Sequence, residues 1–191
     1  MEPIVDLLRR DHHEIEALLR VLEHECELFR RAERPDYGLL SELIDYFRSF
    51  LDQYHHPKQD RLFNLIRIRD AKCDRIIDEI QDERAAALSS LERLGDALRD
   101  ILNEQRVPRQ AFDDPARGFI QHERRQIEIE EKLFVAASAV LATIDWADLY
   151  AEPSDQRGSL LARGLEDKLH ARYRAIIREA RADQGAPKPN A

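Results

Sequence analysis

Seven polar residues stand where a helical stripe should be apolar. His12 lies four residues after Leu8 and three before Ile15; His55 lies four after Leu51, and Gln59 three before Leu62. Arg84 lies four after Ile80 and three before Ala87, beside Glu83. His122, Gln126 and Glu130 follow Phe119 at spacings of 3, 4 and 4 and lead into Leu133. Any one of them alone reads as a hydrogen-bonded core residue. As a set they could hold a metal ion, because imidazole nitrogens are metal ligands and carboxylates neutralise a cation's charge. The other outcome is a metal-free network in which the same groups satisfy one another. No nucleophile or cofactor motif accompanies Glu130, so the chain is not expected to be an enzyme.

Their positions along the chain support a shared layer. With turns at about residues 34, 70–71 and 107, His12 precedes the first turn by roughly 22 residues, and the His55–Gln59 pair follows it by roughly 22. The same pair and Arg84 lie roughly 13 residues either side of the second turn, and Arg84 and Glu130 roughly 23 either side of the third. At 1.5 Å rise per residue, errors of a few residues amount to about one helical turn. Four antiparallel helices would therefore bring these side chains to one height. Leaving buried polar groups unpaired costs about 1–3 kcal/mol each, so the layer needs mutual partners, water or a metal.

The elements that must position them follow from apolar spacing of three and four throughout. The first helix is expected from about Pro3 to Ala32, broken by Glu33-Arg34-Pro35-Asp36. A second carries Leu40 through Ile66, with a kink at Pro57, where a backbone hydrogen bond is lost. A third runs through Ile77 to Ile101, and a fourth starts near Asp113-Asp114-Pro115 or slightly earlier and reaches Leu141. A short segment at Asp145–Ala151 and a last helix from about Ser159 to Ala182 complete an all-α fold. The expectation is an antiparallel four-helix bundle with an additional C-terminal helix, one domain over residues 1–182, and a disordered tail over 183–191.

Composition agrees. Of the 191 residues 36% are charged and only 6 are Gly, as long helices with solvated outer faces require. A net charge of −8 without a basic tract argues against nucleic acid. No apolar run approaches the ~18–20 residues of a membrane span, and the charged start MEPIVDLLRRDHHEIE lacks a signal peptide's apolar segment. A cytoplasmic location is expected. Cys26 and Cys73 read as small buried hydrophobes. His13, His56, His24 and His170 are expected at the surface, with a shifted His56–Asp60 ligand pair as an alternative for His56.

The segments Leu7-Leu8-Arg9-Arg10-Asp11-His12, His55-His56-Pro57-Lys58-Gln59-Asp60-Arg61-Leu62-Phe63 and Glu130-Glu131-Lys132-Leu133-Phe134 resemble the hemerythrin-like, or HHE cation-binding, family. Glu33-Arg34-Pro35-Asp36-Tyr37, Pro108-Arg109, Phe119-Ile120-Gln121-His122 and Asp145-Trp146 extend the resemblance to a bacterial His-His-Pro-Lys subgroup. It implies a four-helix bundle around non-haem iron, usually two ions, that binds or senses oxygen or a related small diatomic ligand. Carried over by position, His12, His55, His122 and Glu130 are the metal-site candidates, while Gln59, Arg84 and Gln126 stand where further ligands are expected. Arginine has no lone pair to offer a cation. The resemblance thus implies a site weakened or lost, with an Arg84–Glu130 ion pair as the expected stand-in for the metal. The oligomeric state is not legible.

Overall fold

The computed structural model describes the backbone of residues 3–150 and 156–185 and the side chains of 4–149 and 167–182. The elements are α1 (Pro3–Arg30), α2 (Tyr37–Phe50), a π-helical turn (Leu51–His55), α3 (His56–Arg69), a 3-10 turn (Ala71–Cys73), α4 (Asp74–Leu102), α5 (Arg109–Val140), α6 (Thr143–Tyr150) and α7 (Gln156–Gly185). α1, the continuous α2–α3 rod, α4 and α5 form the bundle. No strand occurs among the described residues, and no helix is long and apolar enough to cross a membrane.

The helix ends have local causes. α1 and α4 stop where Ala32 and Glu104 adopt left-handed backbone, with φ of 61° and 58°. The following N–H groups then reach back, Glu33 to Leu28 O and Gln105 to Asp100 O, both at 3.0 Å, and satisfy carbonyls that a helix end leaves open. α2 starts at Asp36, whose Oδ1 accepts from the Leu39 N–H at 2.9 Å, while the Asp36 N–H donates to buried Glu25. α5 begins at Arg109, earlier than Asp113, and carries Pro115 inside it. That proline lies in the second turn, so it removes a single hydrogen bond.

Pro57 does more. The chain ahead of it widens into a π turn, in which the His56 N–H bonds to Leu51 O, five residues back. The rod continues as α3 with Pro57 in its first turn, where a missing N–H is least costly. The irregularity is therefore one inserted residue next to the site, a common place for such bulges.

Each rod of the bundle crosses two apolar clusters with polar residues between them. On α1, Val5 and Leu8 belong to one cluster and Ile15 to Cys26 to the other; on α4, Ile77 and Ile80 face Ala87 to Leu98 across the same gap. The order reverses on α2–α3 and α5, where Phe119 precedes the gap and Leu133 follows it. α4 and α5 approach closely at Gly118, where a Cβ would come within 3.0 Å of Ser90 Oγ.

α6 caps one end: buried Asp145 accepts two hydrogen bonds from Arg69, at 2.6 and 2.8 Å, and Trp146 packs on the smaller cluster. α7 lays Leu169, Ile176 and Ala180 on the larger one. It continues to Gly185, into the segment expected as tail; residues 186–191, and Ala151 of the short segment, lie outside the described residues. Cys26 and Cys73 are buried free thiols.

Candidate metal centre

The gap between the two clusters holds His12 from α1, His55 and Gln59 from the α2–α3 rod, and Gln126 and Glu130 from α5, all buried. Ligand atoms of His12, His55 and Glu130 lie within 4.8 Å of one another. Phe134 stacks on the His12 ring at 5.6 Å and Phe50 on His55 at 5.9 Å, which fixes both imidazole planes.

The hydrogen bonds assign the donors. His12 Nε2 donates to Glu130 Oε2 at 2.7 Å and its Nδ1 to Glu131 Oε1 at 3.1 Å, so the ring is an imidazolium between two carboxylates. Burial opposes that charge, but Glu130 and Glu131 outweigh it and hold His12 above its ordinary pKa. Burial likewise works to raise Glu130, and the hydrogen bond and charge of His12, with the Gln126 amide, pull it below the usual carboxylate range. His55 is the opposite case: burial outweighs Asp11 and Glu130 and keeps it neutral. Its Nδ1–H donates to Asp11 at 3.1 Å, and Lys58 holds the same Asp11 oxygen at 3.2 Å. That leaves His55 Nε2 as an acceptor, and the Gln59 amide nitrogen donates to it at 2.9 Å.

Gln59 is the hinge of the network. Its nitrogen also donates to Glu130 Oε2, while its oxygen accepts from Arg84 at 2.9 Å. Arg84 therefore does not form the ion pair with Glu130 that the sequence led us to expect. Its other terminal nitrogen meets Asp60 at 2.9 Å, and the cation on Glu130 is His12. Gln126 donates to Glu130 Oε1 at 2.7 Å, and its own oxygen has no partner among the described residues.

The structure brings together His12, His55 and Glu130, with Gln59 and Gln126, and does not bring in His122. That side chain is 37% exposed and held by Glu83 at 2.6 Å; the inward face of α5 runs through Glu123 and Gln126 instead. His13 and His24 are exposed, and His170 is partly buried against Glu14 at 3.3 Å. His56 is not a surface residue. Its Nε2 is buried, and burial with the nearby charge of Arg84 drives its pKa down to about 2.

Three contributors went unnoticed in the sequence. Asp11 and Glu131 orient the two histidines through Nδ1, the arrangement that turns Nε2 toward a metal. Asp11 had a signal, three after Leu8 and four before Ile15. Glu123 is the third, buried between Phe119 and Gln126; burial, reinforced by Glu130, pushes it up to about 8. Its folded pKa lies above the unfolded value, so the folded chain binds the extra proton between about pH 4.5 and 8, and stability falls as pH rises through that window. Glu123→Gln should match the parent near pH 4.5 and exceed it at pH 8.5 by about 1–3 kcal/mol. Chemical denaturation at both pH values checks this; a difference independent of pH would refute it.

The donor set fits one metal ion. Two imidazoles and one carboxylate with open positions is a known non-haem iron arrangement, and Gln126 Oε1 is a buried oxygen without a partner among the described residues. It does not fit two, because Gln59, Arg84 and Gln126 supply no carboxylate or imidazole for a second ion. Residues 3–137 match the family model described as the hemerythrin HHE cation binding domain. Neither the curated proteins nor the solved structures provide a match. The matched span contains all four rods up to Ala137 and every residue of the buried layer, so the chain belongs to the hemerythrin HHE cation-binding family.

Proposed function

We propose that the protein is a non-catalytic bundle that holds a single, weakly bound iron ion through His12, His55 and Glu130 and reads a small diatomic or redox ligand there. The observation that carries this reading is the pair of outer carboxylates: Asp11 on His55 and Glu131 on His12 hold both rings by Nδ1. A bound ferrous ion would supply open coordination positions for such a ligand. What weakens the site is internal competition. The His12 proton and the Gln59 amide already occupy Glu130, and Arg84 keeps that amide turned inward. A non-catalytic role is supported by Glu130, the one carboxylate of the central trio, being engaged by His12, Gln59 and Gln126. The free thiols Cys26 and Cys73 suit a reducing, cytoplasmic setting.

The same competition favours a second reading, a metal-free bundle with a structural or partner-binding role. Anaerobic ferrous titration of metal-free protein, followed by calorimetry, decides between them. The expected result is one ion per chain, abolished by His55→Ala and by Glu130→Gln. Two ions per chain would refute the reading, and no binding at millimolar iron would establish the metal-free one.

A further inference from the structure

Beside the metal centre, on the far side of Gln59, a partly enclosed cavity of about 540 Å³ opens between the α2–α3 rod, α4 and α5. Small-molecule sites commonly span about 300–1,000 Å³, with apolar walls and a few convergent polar groups. Phe47, Leu91 and Phe119 form the apolar wall; Arg48, Asp52, Gln81 and Glu92 line it from exposed positions, and His56, Arg84 and Glu123 are its more buried polar groups. Two of those groups are incomplete. His56 Nε2 and Arg84 Nε are buried without a hydrogen-bond partner among the described residues, a state that native proteins rarely leave unfilled. Neither is used by the metal centre: Arg84 reaches Gln59 and Asp60 through its terminal nitrogens only.

We propose that this cavity binds a small monocarboxylate with an aromatic or branched aliphatic body, its carboxylate meeting Arg84 Nε and His56 Nε2 and its body lying against Phe47, Leu91 and Phe119. The unfilled donor selects the head group. Arg84 Nε–H can only donate, so the group that meets it must be an acceptor, and an anionic one pairs best with the guanidinium. A carboxylate accepts from Arg84 Nε and from a donating His56 Nε2, whereas an ammonium would face the guanidinium. Asp60, the acid paired to Arg84, is 49% exposed and takes the terminal nitrogen, which leaves Nε for a ligand.

The probe is phenylacetate, titrated into the full-length, chelator-treated protein and followed by heteronuclear NMR, with phenylacetamide and 2-phenylethylamine as shape-matched controls. Metal-free protein keeps the result independent of the iron reading. Phenylacetate is expected to bind with Kd below about 1 mM, to shift the Gln59 side-chain amide through Arg84, and to show contacts to Phe119. Both controls should bind at least about tenfold more weakly. Ala85→Trp places a large ring at an exposed position of the cavity lining and leaves the polar layer untouched; it should weaken binding about tenfold, as should Arg84→Lys, which lacks an Nε–H. No binding at 10 mM, equal binding of amide or amine, or full affinity in Ala85→Trp would each overturn the assignment.

Discussion

His12→Ala is expected to be the most damaging single substitution at the centre, lowering stability by about 3–5 kcal/mol, the usual cost of breaking one side of a buried ion pair. Glu130 is fully buried and His12 is the cation bonded to it at 2.7 Å. Without it, the carboxylate keeps two amide donors, which hydrogen-bond but do not neutralise. At roughly 2–4 °C per kcal/mol for a chain of this size, the melting point should fall by roughly 6–20 °C. Adding Glu130→Gln to His12→Ala should recover part of the loss, because the orphaned charge goes with it. Arg84→Ala should cost less, since Arg84 touches Gln59 and half-exposed Asp60. Thermal unfolding of the parent and the three variants is the measurement. An Arg84→Ala loss larger than that of His12→Ala would return the role of buried cation to Arg84.

The second large effect is a gain. Gln59→Glu, Arg84→His and Gln126→His together should let the chain take up two ferrous ions. One substitution adds a bridging carboxylate beside Glu130, another removes a fixed positive charge, and two add imidazoles. Iron at 100 times its dissociation constant would add about 2.7 kcal/mol of stability by linkage. Without iron, the triple variant should be less stable than the parent, because two buried carboxylates would then meet with one imidazolium between them. Metal analysis and melting with and without anaerobic iron test both halves. A triple variant indifferent to iron would show that these three positions are not the missing ligands.

Much of this was legible before any coordinates. Apolar spacing located the bundle helices, and equal distances from the turns put His12, His55, Gln59, Gln126 and Glu130 in one layer. Backbone register decides that much, and register is what periodicity encodes. Side-chain reach is not encoded. Arg84 has its Cβ where the stripe predicts, yet its guanidinium travels to Asp60. His122 and Glu123 are neighbours, about 100° apart on a helix, and spacing from Phe119 admitted either; packing against α4 chose Glu123 for the interior. The π turn at Leu51–His55 left only Pro57 as a hint, since one inserted residue changes neither composition nor overall period.

The polar layer also acts as an alignment key. In a uniformly apolar bundle, a helix displaced by one turn, about 5.4 Å, finds much the same greasy surroundings and loses little. Here the same slip on α5 would set Glu130 among aliphatic side chains and strand His12 without its carboxylate. Misaligned packings of these rods are thus penalised by unpaired charge, as a single buried polar residue fixes strand register in coiled coils. Apart from any ion they might hold, the buried acid and its imidazolium thus set four long rods at one height.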